Sequence, residues 1–420
     1  MNNPQDINTM TAHLFRENSG KMVAVLTRIF GLNQVDSIMD VVQDTFESAL
    51  IKWKYKGIPD NPSGWLMQVA KNKAINTFQR ESKTSILSPN AFVKKFDTGF
   101  EIKIEHFLMP DEIDDSQLRL LLACCHPDFS EKNQIMLTLN ILCGFGITEI
   151  ASALLMNEDA AKKALSRTKA ELKQMGNILQ TPLLLKYEKR IDIVQTILYL
   201  MFNEGYKTTR FKEIINNDLC YEAIRLTKLL LKQGVALTNE SNALLALMFF
   251  NLSRFPSRLS SEGEIITLEE QDRNKWNKIF IEEGYYYLDK ATKEKRLSRY
   301  HLEAIIASLH CAAPSFEKTD WKKIVYLYKQ LENIVPSPMI TLNKIVAESY
   351  LHNSSKSLEQ IEELKNEPSI KKHYLLYAAE GDILKRTGKI QMAKAAFGKA
   401  YHLAISPLDK LFLQNKIGQC

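Results

Sequence analysis

Apolar residues recur every three to four positions through the N-terminal part of this 420-residue chain, which is the period of a helix with one buried face. The pattern predicts helices at about 10–30, at 35–54 and from 65 to about 81. The loop 57–64, between the second and third helices, is rich in proline and glycine, which interrupt helices. These residues therefore predict a helical bundle.

The periodicity is lost over residues 82–115, which end in the acidic run MPDEIDD and are predicted to form a linker. Helices resume at about 116–125 and 131–143. From residue 183 to the end the pattern is that of a long helical array with short breaks. The predicted fold class is all-α.

The last part of the array has the spacing of a tetratricopeptide unit, a pair of helices about 34 residues long. Small residues would let the paired helices approach, and Phe397 would fill the gap between them. The positions in register are Tyr377, Gly381, Leu384, Ala393, Phe397 and Ala400. An irregular helical bundle is the alternative for this region.

Residues 147–173 predict two helices joined by a tight turn. Asn157 is suited to cap the second helix, and Glu158 and Asp159 follow where the helix dipole favours negative charge. An apolar and a basic face on the second helix are typical of a helix-turn-helix, whose second helix enters the DNA major groove. The candidate DNA contacts are Lys162, Lys163, Ser166, Arg167 and Lys169. The alternative is an ordinary helical hairpin with a solvated basic face.

The second helix of the chain has an apolar stripe and an acidic face. The predicted buried stripe is Val35, Ile38, Met39, Val42, Phe46, Ala49, Leu50 and Trp53. The polar face is Asp36, Asp40, Gln43, Asp44 and Glu47. We interpret this face as a docking surface for helices of a partner, with a solvated acidic face as the alternative.

The third helix has an apolar face and a polar face with two asparagines. The predicted buried residues are Trp65, Leu66, Val69, Ala70, Ala74 and Phe78. The polar residues are Lys71, Asn72, Asn76, Gln79 and Arg80. Asparagine is a poor choice inside a helix because it competes for backbone hydrogen bonds, whereas beside lysine and arginine it suits contact with base edges and phosphates. Trp65 would also suit base stacking, but its place on the apolar face favours core packing.

Composition narrows the class of protein. The hydrophobic content of 45% and charged content of 25% are typical of a globular protein, and the length predicts several domains. The sequence shows no signal peptide and no apolar run of membrane length, so we expect a cytoplasmic protein without a membrane partner. The net charge of +6 resides in residues 181–420, while residues 1–180 are almost neutral, so DNA binding would depend on local basic faces.

The cysteine pattern indicates free thiols. None of the six cysteines forms a C-x-x-C pair. The run Cys124-Cys125-His126 lacks a second pair of ligands at zinc spacing, so neither a metal nor another cofactor is expected.

Three polar groups lie among the apolar helices of the C-terminal half: Asn203-Glu204, Asp272-Arg273, and His301 with Glu303. Ion pairs or helix-end contacts explain them more simply than catalysis does. The sequence shows no glycine-rich phosphate loop, nucleophile elbow or metal-ligand spacing, so the chain is not predicted to be an enzyme. For stacked helix pairs, a groove for a peptide or protein segment is the more natural kind of site.

Three segments, in this order, resemble the extracytoplasmic-function (ECF) sigma factors of bacterial RNA polymerase. DVVQDTFESAL (40–50) resembles region 2.2, which implies contact between the acidic face and the β′ clamp helices. GWLMQVAKNKAINTFQRE (64–81) resembles regions 2.3–2.4, which implies reading and opening of the −10 element. ITEIASALLMNEDAAKKALSRTKAEL (147–172) resembles region 4.2, which implies reading of the −35 element beside the β flap. Leu155 and Ala160 depart from the usual pattern, so the resemblance does not define the −35 sequence.

Further segments resemble the ECF group that has a fused, tetratricopeptide-like C-terminal domain. They are CCHPDFS (124–130), YLMFNEGY (199–206), EAIRL (222–226), LLALM (244–248), QDRNKWN (271–277) and TDWKKIVYLYKQL (319–331). The resemblance implies that this domain replaces a separate anti-sigma protein and regulates the chain in cis. A protein or peptide partner of the domain would fit the same role.

The resemblance implies four domains: region 2 at 1–83, a linker at 84–115, region 4 at 116–180 and a regulatory helical domain at 181–420. Its partners would be core RNA polymerase and promoter DNA. The alternative is a DNA-binding regulator, fused to a helical-repeat scaffold or enzyme domain, that acts without docking to polymerase.

Overall fold

The fold is described from a computed structural model. It covers residues 4–84, 106–154, 156–176, 179, 188–207, 217–232, 238–261, 263–293, 297–351 and 354–420. Within these residues the regular elements are helical, and the one extended pairing is an isolated bridge between Leu259 and Ile265. The all-α prediction is confirmed. No helix in the described part of the chain is long and apolar enough to span a membrane.

The helices of the N-terminal half are α1 (Pro4–Phe30), α2 (Val35–Lys56), α3 (Pro62–Thr84), α4 (Pro110–Cys124), α5 (Glu131–Leu137), α6 (Ile147–Ala153), α7 (Glu158–Gln174), α8 (Glu188–Lys207) and α9 (Asn217–Lys232). Those that follow are α10 (Thr238–Ser253), α11 (Lys278–Ala291), α12 (Arg299–Ala312), α13 (Trp321–Ile334), α14 (Pro338–Ser349), α15 (Ser354–Leu364), α16 (Tyr374–Arg386), α17 (Ile390–Leu403) and α18 (Pro407–Gly418).

The chain divides into two compact units. The first is Met1–Gly205 with Asn216–Ala236, and the second is Tyr206–Ile215 with Leu237–Cys420. The compact units therefore divide the chain later than the predicted boundary at residue 180. Most of α8 and all of α9 belong to the first unit.

Helix α1 is the centre of the first unit and packs against α2, α3 and α4. The apolar residues 22–26 of α1 are all buried, and Met22 and Leu26 are inaccessible to solvent. Gly20 brings α1 against the π-helical turn Thr138–Leu142, because a Cβ at this position would lie only 2.0 Å from the carbonyl oxygen of Leu142. Close backbone approach, rather than a turn, is what requires glycine here.

Two predicted boundaries are wrong. Helix α4 begins at Pro110, so the acidic run forms its first turns, where the dipole stabilises negative charge, and is not linker. Arg28 of α1 pairs with Glu112 at 2.9 Å and with Asp115 at 2.8 Å, which ties α4 to α1. Helix α3 likewise begins inside the predicted loop, at Pro62, since proline is well tolerated in the first turn.

The second unit is an array in which consecutive helices pack together and alternate helices also pack, α10 on α12 and α14 on α16. One apolar core lies between α12, α13 and α14, and a second runs from α14 to α18. Phe397 fills the gap between α16 and α17 as predicted, and it lies against Gly381, where a Cβ would be 2.6 Å from the Phe397 ring. The array thus has the local packing expected of helix pairs.

Candidate nucleic-acid interface

The acidic face of α2 is exposed. Val42, Phe46, Ala49 and Trp53 are buried on the opposite side, as the apolar spacing predicts. The exposed face is formed by Asp40, Gln43, Asp44 and Glu47. Four of the five predicted polymerase contacts are therefore accessible on one helix.

This face continues into apolar side chains that the sequence analysis did not assign to it. Ile51 is 64% exposed and Tyr55 is 80% exposed, near the end of α2. Leu50 is predicted in the buried stripe but is 37% exposed, because at this end of α2 the buried face is formed by Ala49 and Trp53. Large exposed apolar side chains beside charged ones are typical of a protein-binding surface.

Asp36 is the exception among the predicted polymerase contacts. Its carboxylate pairs with Lys169 at 3.1 Å and with Lys173, both from α7. Burial alone would raise the pKa of Asp36, but the two ammonium groups lower it below its usual value. In this conformation Asp36 holds α7 against the start of α2.

Helix α3 presents a row of polar side chains at helical spacing. Asn72, Asn76 and Arg80 are exposed, and Lys71 and Gln79 are partly buried at the edges of the row. The opposite face carries Leu66, Ala70, Ala74 and Phe78, all buried as predicted. The arrangement suits contact with a nucleic-acid strand.

The row is held in place by contacts between α3 and α2. The Lys73 ammonium donates to the Asp44 carbonyl at 2.6 Å and to the Ser48 hydroxyl at 2.8 Å. Trp65 is partly buried, with its ring centroid 5.4 Å from that of Trp53. The two helices thus form one rigid support for the row.

Helices α6 and α7 are joined by a short turn in which Leu155 lies outside the described residues. The predicted cap is confirmed, since the Asn157 side chain accepts from the backbone N–H of Asp159 at 2.9 Å. The predicted apolar face of α7 is also confirmed, with Ala161, Leu165, Thr168 and Leu172 buried.

The opposite face of α7 carries Lys162, Lys163, Ser166 and Arg167, all exposed. Arg167 is 85% exposed and pairs only with Glu171 of the same helix, at 3.1 Å, among its described ion pairs. Lys169 is different, because its side chain is only 14% exposed and lies against Asp36 and the Met39 sulfur. In this conformation Lys169 is turned toward α2, and its assignment as a DNA contact stays a prediction.

The cysteines do not form a site. Cys124, Cys125 and Cys143 are buried, and burial raises the pKa values of Cys124 and Cys143 well above their usual range. No group of three or more metal-ligating side chains is found in the ranges that the structure describes.

Two of the polar groups in the C-terminal half make helix-end and ion-pair contacts. Asp272 caps the short turn Arg273–Lys275, and His301 bonds to the backbone N–H of Ser298 at the start of α12. Glu303 pairs with Arg299 at 3.0 Å. They are the kinds of contact that the sequence pattern favoured for these residues.

Comparison with known proteins tests the N-terminal assignment. Residues 14–84, which include α2 and α3, match the model of Sigma-70 region 2. Residues 190–292 match the model of a family of unknown function, DUF6596. The chain is also 33% identical over 383 residues to an uncharacterized protein of Rhizobium meliloti (strain 1021), with 90% of each chain covered.

The chain belongs to the same family as this relative, and its N-terminal module is a sigma-70 region 2. No solved structure matches the chain. The sigma region supports a role as a sigma factor in transcription initiation, which is not an enzymatic role. It also implies binding to core RNA polymerase and promoter DNA.

Proposed function

We propose that this chain is an ECF-type sigma factor that directs core RNA polymerase to specific promoters. The observation that carries the proposal is the exposed row of Asn72, Asn76 and Arg80 on α3, within the segment that matches region 2. A region that reads DNA while bound to polymerase needs both a face for nucleic acid and a face for docking. The docking face is supplied by helix α2, which packs on α3.

In the proposed complex the β′ clamp helices dock on the acidic face of α2. Asp40, Asp44 and Glu47 would set the orientation, and burial of Ile51 and Tyr55 would add apolar contact area. Asp36 would join this contact only after it parts from α7.

The −10 contacts are the polar row of α3: Lys71, Asn72, Asn76, Gln79 and Arg80. Opening the promoter requires bases to be unstacked and held outside the duplex, at a cost of roughly a few kcal/mol. Asparagine side chains offer both donors and acceptors to base edges, and the cations hold the strand by its phosphates. The phosphodiester chemistry belongs to polymerase.

The −35 contacts in this proposal are Lys162, Lys163, Ser166 and Arg167 on α7, with the helix pair seated beside the β flap. The acidic first turn of α7 and the small Ala160 offer few direct contacts to bases. We infer that α7 binds DNA usefully only when polymerase holds it in place.

The C-terminal part is proposed to regulate these modules in cis. In the first unit Lys232 of α9 pairs with Asp111 at 2.7 Å and with Asp114 at 3.5 Å, and α9 packs against both α1 and α4. Helix α9 lies within the DUF6596 match. It would therefore hold the region 2 helices against the helices that lead to α7.

This closed arrangement opposes promoter binding for a geometric reason. Promoter elements near −10 and −35 are separated by about 25 base pairs, or about 85 Å at roughly 3.4 Å per base pair. Lys169 of α7, however, touches α2 through Asp36 at 3.1 Å. Both elements are engaged at once only after α7 has left α2.

Run-off transcription with purified core polymerase on a randomised promoter library tests the proposal. We expect the protein and core enzyme together to select promoters with defined −10 and −35 elements. The protein alone should bind duplex DNA weakly. Strong, specific footprints without polymerase would contradict the proposal and favour the regulator that acts without docking.

A further inference from the structure

A single segment of the second unit, residues 258–277, runs along the helical array and is here named the strap. Residue 262 is the one strap position outside the described part. Its first part is a small hairpin closed by the Ile266 N–H donating to the Arg258 carbonyl at 2.9 Å, with Gly263 at positive φ in the turn. Its last part caps α11 through Asn277.

The end of the strap nearest α11 is firmly anchored. The Arg273 guanidinium donates to the carbonyls of His310 and Ala313, which closes the end of α12. Trp276 is 4% exposed, and the guanidinium of Arg254 lies 5.7 Å from its ring centroid. The Asn277 N–H donates to the Ser253 carbonyl at 2.8 Å, at the end of α10.

The hairpin end of the strap is held by Arg258 at its first residue and by two glutamates. The Arg258 guanidinium donates to the Tyr206 carbonyl at 2.7 Å and lies 3.7 Å from the Tyr206 ring centroid. The Asn415 amide of α18 donates to Glu264 at 3.0 Å. Lys416 of α18 pairs with Glu270 at 3.7 Å.

In the ion pair between the hairpin and α18, the lysine is mostly buried and the glutamate is half-exposed. Lys416 is only 13% exposed and also faces Asp382 of α16 at 3.7 Å, whereas the Glu270 side chain is 49% exposed. The donors are therefore built into the array, and the carboxylates reach them from outside. Long, half-exposed ion pairs of this kind contribute little to stability.

The hairpin does not fill the space beside it. A cavity of about 230 Å³ lies between the strap and α18, with Ile266, Leu408 and Phe412 in its wall. Leu411 also lines it and is 42% exposed. A segment seated here would meet apolar side chains beside the carboxylate-binding donors.

We propose that this face of the array is a binding groove for an extended, acidic segment of a partner protein, and that the hairpin part of the strap occupies it until such a segment displaces it. The strap shows what the groove accepts: carboxylates at Asn415 and Lys416, with apolar residues beside them. A basic segment would place its cations against Lys416. The proposal does not depend on the sigma function.

Displacement would involve residues 259–270 only, since Arg258 anchors one end of the strap and Arg273 and Trp276 anchor the other. While the hairpin occupies the groove, a competing segment cannot bind. The apparent affinity for that segment is therefore proportional to the fraction of molecules in which the groove is open. Weakening the hairpin contacts should therefore strengthen binding of a free segment.

The test uses fluorescence anisotropy with a labelled synthetic peptide of residues 258–271 and the full-length protein. We expect the Glu264→Gln/Glu270→Gln variant to bind the peptide about 3-fold more tightly than the wild type, because its own hairpin is held less strongly and is released more often. The matched control is Glu359→Gln/Glu363→Gln, on exposed positions of α15, which should bind like the wild type. Adding Lys416→Gln to the strap variant should abolish the gain.

Three results would overturn the proposal. One is equal peptide affinity of the strap variant and the wild type. Another is equal binding of a peptide in which every glutamate is replaced by glutamine. The third is competition by a single-stranded oligonucleotide as strong as that by the peptide, which would point to nucleic acid as the ligand.

Hydrogen exchange on the wild-type protein gives a measurement that does not depend on a variant. The Ile266 amide in the hairpin should exchange at least about 10-fold faster than the Asn277 amide at the anchored end. Equal protection of the two amides would show that the strap opens as one unit with the array and would overturn the proposal.

Discussion

At the scale of single residues, the contact between Asp36 and α7 links the two candidate DNA-binding parts of the chain. The carboxylate and its two lysines are each only partly exposed, so their attraction is screened less than that of a surface pair. The lysines also make the charged form of Asp36 the favoured one.

Asp36→Asn should lower the free energy of unfolding of the first unit by about 1 kcal/mol at neutral pH, the upper range for a partly exposed ion pair. The lowered pKa means that this stabilisation is present above the usual carboxyl pKa and is lost as the pH falls through the folded-state value. Urea unfolding at pH 7 and near pH 3 measures the difference, which should be much smaller at the lower pH. Asp40→Asn, on the exposed face of the same helix, is the control and should have little effect.

Gly20→Ala should destabilise the first unit by roughly 2–3 kcal/mol, because the new methyl group would overlap the Leu142 carbonyl and force α1 away. Gly398→Ala, in α17, is the matched control, since nothing lies within 4 Å of the position that its methyl group would take. In the control the same change should stabilise the helix by up to about 1 kcal/mol. Thermal unfolding compares the two variants, and a neutral Gly20→Ala would contradict the close packing of α1.

At the scale of helices, we propose different roles for α2 and α3 in the sigma region. Each buries one face in the bundle and leaves a different chemistry outside, acidic on α2 and amide-rich and basic on α3. Because the exposed faces belong to separate helices, docking and DNA reading should be separable by mutation.

Asp40→Lys with Asp44→Lys should raise the Kd for core polymerase at least about 10-fold, since reversing two charges on a docking face replaces attraction by repulsion. Circular dichroism should show unchanged helix content, because both side chains are exposed. Glu359→Lys with Glu363→Lys on α15 makes the same charge change elsewhere and should leave the affinity unaltered. Unchanged affinity in the α2 variant would remove the clamp-docking assignment.

At the scale of the whole molecule, the first compact unit extends beyond region 2 and the helix pair to include α9. In the proposed cis regulation, α9 would act through contacts within that unit. Its Lys232 meets the acidic start of α4, which the sequence pattern assigned to a linker.

Lys232→Glu should weaken the contact of α9 with α4 and increase run-off transcription, because the closed arrangement opposes promoter binding. Restoring the opposite charges with Asp111→Lys and Asp114→Lys should return output towards the wild-type level. Lys228→Glu, one turn earlier in α9, is the control for adding charge to this helix. No change in output for Lys232→Glu would count against regulation by α9.

The sequence predicted those features of the fold that depend on interactions between residues close together in the chain. Most of the buried faces of α2, α3 and α7, and the Asn157 cap, depend on neighbours within the same helix or next to it in sequence, and these predictions are confirmed. Leu50 is the exception, since it was predicted to be buried and is 37% exposed. The start of α4 was missed because an acidic run reads as linker until Arg28, 84 positions earlier, is seen to neutralise it.

Helical periodicity is a local property, so the order of residues was enough to establish that the chain is all-α, where most helices lie and which faces they expose. It also placed an acidic face and an asparagine-rich face in adjacent helices. Folding in three dimensions was needed to show that Lys169 faces Asp36, 133 positions away, rather than solvent. The strap along the array likewise became visible only in the folded chain, since such contacts depend on how distant helices are brought together in space.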